Sequence, residues 1–193
     1  DERDRPIDQD TLFPIWSMTK PVTSLAAMIL HEEGFFQLDD PVSKVIPALD
    51  QLQVKTKKGS VPLKRSITYR DLLLHTSGIA GYDGSFDQEG TWKEVMELDD
   101  LESLIDLLIS KPLEHQPGER HTYGLSTAVL GHAIEKHAGQ SLDVFFRERI
   151  FEPLDMHRTQ FHLASDDRRQ FQPLFVDQGD KFRIGTPKED ELY

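Results

Sequence analysis

Ile15-Trp16-Ser17-Met18-Thr19-Lys20-Pro21 opens a stretch that turns helical and stays so to Glu33. Val22, Leu25, Ala26, Ile29 and Leu30 recur at i, i+3, i+4, i+7 and i+8, which predicts a single apolar stripe. Pro21 is tolerated only in a first helical turn, where amides lack intrahelical partners, so the N-terminus must lie near Ser17. Gly34 is the natural residue just past the C-terminal end. Ser17 and Lys20, three residues apart, share one face, with Cβ atoms about 5–6 Å from each other. A serine at its ordinary pKa is a poor nucleophile and needs a neighbouring base. Lysine is that base only where burial or nearby positive charge depresses its pKa. A helix N-terminus adds a dipole and free amides that favour negative charge developing at Ser17. Taken alone, Ser-x-x-Lys is a chance-level signal, with about one match per chain of this size at ordinary usage. An N-cap hydroxyl and a solvated amine are the commoner origin of such a pair.

Outward from this helix, Asp39-Asp40-Pro41 reads as an N-cap with proline at the first helical position, opening a short helix to about Ile46. Residues 51–66, basic and polar, read as an exposed loop or hairpin. Thr68-Tyr69-Arg70-Asp71 resembles a capping box with Asp in place of Glu, starting a helix through Leu72, Leu73 and Leu74 that Ser77-Gly78 stops. Residues 79–90, with Gly81, Gly84 and Gly90, read as a mobile excursion. Leu101, Leu104, Ile105 and Leu108 mark a helix capped by Asp99 or Asp100 and ended before Pro112. His121-Thr122-Tyr123 should be extended. Val129, Leu130, Ala133 and Ile134 line a helix closed by Gly139, and Ser141 caps the next, which turns Leu142, Phe145, Phe146 and Ile150 inward. Strand alternation begins at Thr159, Phe161 and Leu163, and a hairpin is expected from Phe171–Val176 and Lys181–Ile184.

Composition limits the partners. Thirty-seven per cent of the 193 residues are hydrophobic and 29% charged, the balance of a globular chain with one sizeable core or parts of two. A net charge of −12 and a pI near 5.0 disfavour nucleic acid and anionic membrane as partners. No apolar run approaches the roughly 18 residues of a membrane span. Without cysteine there is neither disulfide nor thiolate chemistry, and the compartment, cytoplasmic or periplasmic, stays open. Eight histidines invite a metal, but His-Glu-x-x-His is absent and His132 and His137 are five residues apart, so they read as surface or satisfied histidines. Asp39-Asp40 and Asp99-Asp100 stand at helix starts and read as caps.

Taken as a set, the motifs carry more weight. Ser17-Met18-Thr19-Lys20-Pro21-Val22-Thr23 is followed by Glu33-Gly34 and Leu38-Asp39-Asp40-Pro41-Val42. Next comes Ile67-Thr68-Tyr69-Arg70-Asp71-Leu72-Leu73-Leu74-His75-Thr76-Ser77-Gly78. Pro117-Gly118, Tyr123 and Pro153-Leu154-Asp155-Met156 with Thr159 complete the series. In this order the chain resembles the serine β-lactamase superfamily: class C β-lactamases, D-alanyl-D-alanine carboxypeptidases and family VIII carboxylesterases.

The resemblance implies an α+β, β-lactamase/transpeptidase-like fold, of which this chain is mostly the helical portion with strands near its C-terminus. Residues 1–34 would carry the nucleophile helix of an α/β domain, 35–160 a mainly helical domain, and 161–193 the start of the return. It implies Ser17 as nucleophile, Lys20 as base and Tyr123 as proton shuttle, with no metal or organic cofactor and a small ester or lactam as substrate. His75-Thr76-Ser77-Gly78 would be a structural turn. Trp16, Tyr82 and Leu125 are candidates for the acyl pocket, although a buried core is the commoner place for aromatics. The family's Tyr-x-Asn is here Tyr123-Gly124-Leu125. Leucine offers apolar surface where asparagine would offer an amide, which favours a carboxylesterase over a β-lactamase or carboxypeptidase. A Lys-Thr-Gly or His-x-Gly motif, which in the family lies on a late strand and supplies the second oxyanion amide, is not found in the strand region after Thr159. Asp1-Glu2-Arg3-Asp4-Arg5 is neither a start methionine nor a signal peptide, and an internal piece of a protein nearly twice as long is expected. The rival from another class is a non-catalytic, penicillin-binding-like interaction module.

Overall fold

The computed structural model describes residues 7–79, 95, 97–162, 175–177, 179 and 182–184. Its central element is the helix Ser126–Ala138, here α4. Ser126 through Ala133 and Ile134 are almost all buried, polar residues included. A helix covered on most sides needs room for its neighbours, and Gly131 provides it. A Cβ there would lie 3.0 Å from Leu142 Cδ2 and 3.4 Å from Leu101 Cδ1. The roughly 1 kcal/mol of helix propensity lost to glycine is offset by that close approach.

Four helices pack around α4: α1 (Thr19–Glu32), α2 (Tyr69–Leu73), α3 (Leu101–Ile109) and α5 (Leu142–Phe146). A turn of π-helix, Arg147–Phe151, continues α5. The buried apolar residues form one continuous cluster that includes Leu30 of α1, Leu72 of α2, Leu104 of α3, Leu130 of α4 and Phe145 of α5. Arg149 of the π-turn pairs with Glu33 just beyond α1. Two small antiparallel hairpins complete the description. β1 (Gln53–Thr56) pairs with β2 (Gly59–Pro62), Val54 opposite Val61, and β3 (Phe175–Asp177) pairs with β4 (Phe182–Ile184), Val176 opposite Arg183. Among the described residues no helix is long and apolar enough to cross a membrane.

Several expectations are met in detail. Asp100 caps α3 by accepting from Ser103 N–H at 2.8 Å. Thr68 and Asp71 form the reciprocal capping box of α2. Gly139 ends α4 in the left-handed region, φ +67°. Others need correction. Leu25 is 46% exposed, and Thr23 and Ala27 take the inner face of α1 instead. No helix runs from Pro41 to Ile46. Pro41 is extended and bridges Thr68, and Val42 N–H donates to Ile67 C=O, leaving only a 3₁₀ turn at Val42–Lys44. Asp39 and Asp40 therefore do not cap a helix there. Asp39 takes the Arg70 guanidinium at 2.7 and 3.0 Å, and Asp40 accepts from Gln37 N–H. Ser141 stands at the N-cap of α5 without a side-chain cap bond. The Glu135 carboxylate accepts Leu142 N–H instead. Thr159 and Phe161 lie in no strand; Phe161 packs its ring 5.5 Å from Phe146. Leu163, Phe171 and most of the 79–90 excursion lie outside the described residues.

Candidate active site

Three residues before α1, the backbone makes an unusual turn. Trp16 adopts φ +42°, a region that bulky side chains rarely occupy, and the 3₁₀ turn Trp16–Met18 leads into α1. Met18 N–H donates to Ile15 C=O at 2.8 Å. The amide of Ser17 lies one residue upstream, at the edge where helix geometry supplies no carbonyl. Ser17 itself is exposed. Backbone strain at such a place is a feature of functional turns, because the surrounding structure has to hold it.

Lys20 Nζ lies 3.2 Å from Ser17 Oγ, as the i, i+3 spacing predicts. Tyr123 Oη lies 2.7 Å from the same oxygen. Lys20 Nζ is also 4.8 Å from the centre of the Tyr123 ring. A hydroxyl, an amine and a phenol thus converge, and a proton can pass between any two through Ser17. Burial works to raise the Tyr123 phenol. Its hydrogen bonds to Lys20 and Ser17, with the Lys20 charge, outweigh that effect and hold it below its ordinary value.

Tyr123 is placed by the residues on either side of it. Thr122 N–H donates to His75 C=O at 2.8 Å, and the Thr122 hydroxyl meets buried His115 Nε2 at 2.9 Å. His115 Nδ1 lies 2.9 Å from Gln116 C=O, an acceptor only, so Nδ1 carries a proton and donates it there. On the other side Ser126 shares a fully buried hydrogen bond with Ser77, Oγ to Oγ 2.8 Å. The turn His75–Gly78 therefore holds both flanks of Tyr123. Gly78 makes this possible: it has φ +84°, and a Cβ there would lie 2.3 Å from His115 O.

Behind the turn, buried Asp71 accepts from both Thr68 groups, from Thr76 Oγ1 at 3.0 Å, and bidentately from Arg65. Burial alone works to raise its carboxyl; Arg65 and Thr68 reverse this and hold it below the usual range. This is a structural anchor for the turn and lies outside the converging side chains.

Of the residues singled out from sequence, Ser17, Lys20 and Tyr123 come together. Trp16 is half-exposed next to Ser17, and Leu125 is the half-buried N-cap of α4, two residues from Tyr123. Tyr82 lies outside the described residues. His132 and His137 are satisfied, by Glu135 and by Tyr69 Oη. His137-Ala138-Gly139 is a His-x-Gly triplet in sequence, but it closes α4 and belongs to no sheet edge. Among the described residues no group of three His, Asp or Glu side chains converges as a metal site requires. Reading the sequence missed His75, whose ring stacks on Tyr123 with centroids 5.0 Å apart and an angle of 29°. Nothing local in the sequence signals a left-handed histidine.

The Beta-lactamase family model matches residues 1–191. Esterase EstB of Burkholderia gladioli is 34% identical over 173 residues, 86% of this chain and 43% of its own length. A putative D-alanyl-D-alanine carboxypeptidase of Escherichia coli K12 is 31% identical over 79% of this chain and 34% of its own. Among solved structures, EstCE1, described as a hydrolase with promiscuous acyltransferase activity, superposes with a TM-score of 0.80 at 30% identity. That match covers 96% of this chain and 48% of EstCE1. The chain spans about half the length of the relatives it matches, or less. Its fold is the β-lactamase/transpeptidase-like fold, and the chain belongs to the beta-lactamase family.

Proposed function

We propose that the protein is a serine hydrolase that works through an acyl-enzyme on small esters, a carboxylesterase in its main activity. The observation that carries this reading is the convergence of Lys20 Nζ and Tyr123 Oη on Ser17 Oγ, at 3.2 and 2.7 Å. As the hydroxyl attacks the substrate carbonyl carbon, its proton passes to the lone pair of Lys20, which takes this part in its neutral amine form. The tetrahedral oxyanion finds the Ser17 amide at the helix N-terminus. Collapse of that intermediate breaks the carbonyl–oxygen bond, and Tyr123 hands the proton to the departing alkoxide. Water then repeats the sequence on the acyl-enzyme, giving up its proton to the same pair and releasing the acid and Ser17.

Leu125 favours an ester over a lactam. It is an apolar, half-buried side chain two residues from Tyr123, at the position where the family motif carries an asparagine whose amide would bind polar substrate atoms. The similarity to EstB supports the same choice. β-Lactamase or D-alanyl-D-alanine carboxypeptidase activity is the close alternative.

Intact mass of the full-length protein after a fluorophosphonate, and separately after a penicillin, tests the acyl-enzyme. A fluorophosphonate adduct lost in Ser17→Ala is expected. No adduct, or one that survives that substitution, would sink the reading and leave a non-catalytic binding module. Turnover of p-nitrophenyl esters against a chromogenic cephalosporin then separates esterase from lactamase.

A further inference from the structure

His75 sits at φ +53°, the left-handed position that closes α2, with His75 N–H on Leu72 C=O and Thr76 N–H on Asp71 C=O. Two further properties are not needed by that turn. Its ring lies against the face of Tyr123, centroids 5.0 Å apart. Its Nδ1 is buried and has no hydrogen-bond partner among the described residues, and Nε2 reaches Thr127 Oγ1 only at 3.4 Å. A histidine kept for hydrogen bonding would have its nitrogens engaged. Here the ring surface makes the close contact instead.

The ionisable groups that face this ring are Lys20 from α1, and His121 and Tyr123 from the segment before α4. Burial first, then the nearby His121 and Lys20, hold the imidazole below the usual histidine range. It therefore stays neutral at pH 7 and adds no cation beside Lys20. Meanwhile its C=O grips Thr122 N–H at 2.8 Å, so one residue holds the tyrosine segment by backbone and by ring.

We propose that His75 is a positioning residue for Tyr123: its ring braces the phenol so that Oη stays within reach of Ser17 Oγ. This rests on Ser17, Lys20 and Tyr123 being the reacting groups.

The test compares His75→Asn and His75→Phe in the full-length protein. Asparagine tolerates the left-handed backbone but removes the ring. Phenylalanine keeps a ring and removes both nitrogens. His75→Asn is expected to lower kcat about 10–100-fold with KM changed less than about threefold, since misplacing a reacting group by about 1 Å costs up to about 100-fold. His75→Phe should recover most of that loss. Wild-type kcat in folded His75→Asn, or equal losses in both variants, overturns the proposal. Should His75→Asn not fold, His75→Gln replaces it, with the same two outcomes. Absence of a Ser17 adduct in the wild-type protein overturns the acyl-enzyme reading and this inference together. A wild-type adduct with an unimpaired asparagine variant overturns this inference alone.

Discussion

Tyr123 Oη and Ser17 Oγ are 2.7 Å apart, although 106 residues separate them in the chain. They meet because α1 packs on α4 and because the segment before α4 is tied at Thr122 and Ser126. The contact is thus a product of tertiary packing, and it can be removed without disturbing that packing. Tyr123→Phe keeps the ring against His75 and deletes only the oxygen. The expected result is a fall in kcat of about 10²–10⁴-fold, the range for a lost proton-transfer group, with an unchanged melting temperature. Lys20→Ala should lose a similar factor. Near-native turnover in either variant would refute the assigned role.

Asp71 provides a prediction about stability. Its carboxylate is buried and takes Arg65, Thr68 and Thr76, so Asp71→Asn should cost about 2–3 kcal/mol in unfolding free energy. The carboxyl sits below its usual 3.8 in the folded chain. A lowered folded value means that the stabilisation is complete above the unfolded value. It is lost as pH falls through the folded one. The gap between wild type and Asp71→Asn, measured by urea denaturation, should therefore be constant above about pH 5 and shrink below about pH 4. A gap that holds steady at pH 3 contradicts the assignment.

These two cases show what can be read from sequence. The capping box at Thr68–Asp71 and the Ser17–Lys20 face depend on spacings of three residues, and local geometry carries them into the structure unchanged. The Asp39-Asp40-Pro41 helix was equally plausible by the same rules. It did not form because Pro41 is held extended by Thr68 and Val42 by Ile67, contacts distant in sequence. Leu25 fails for a related reason: periodicity marks a stripe, but the placement of α4 decides which edge of it is covered. Resemblance to the family motif singles out Tyr123, but its 2.7 Å approach to Ser17 is not deducible from spacing. His75 was invisible as more than a turn residue, since its ring meets a partner 48 positions away in the chain.

Leu125 makes the substrate preference testable. Leu125→Asn would present an amide at the N-cap of α4, two residues from Tyr123. One added hydrogen bond is worth about 0.5–1.5 kcal/mol, so the ratio of penicillin to p-nitrophenyl ester acylation rates should rise about 2- to 13-fold. Stopped-flow acylation with each substrate measures it. An unchanged ratio would remove Leu125 from the pocket.

Gly78→Ala tests whether the turn behind Tyr123 holds the site as a unit. The added Cβ would lie 2.3 Å from the His115 carbonyl oxygen, and alanine is strained at φ +84°. The contact is with backbone, so relief requires the 113–118 segment to move. His115 would then shift from Thr122, whose amide and hydroxyl together hold the approach to Tyr123. A loss of about 2 kcal/mol or more is expected in stability, from strain and clash together. The drop in kcat should exceed what the melting curve accounts for, because at a temperature where the variant is fully folded Tyr123 is still misplaced. Fluorophosphonate labelling of Ser17 should persist at a reduced rate. If kcat at that temperature equals the wild-type value, the turn stabilises the fold without placing the tyrosine.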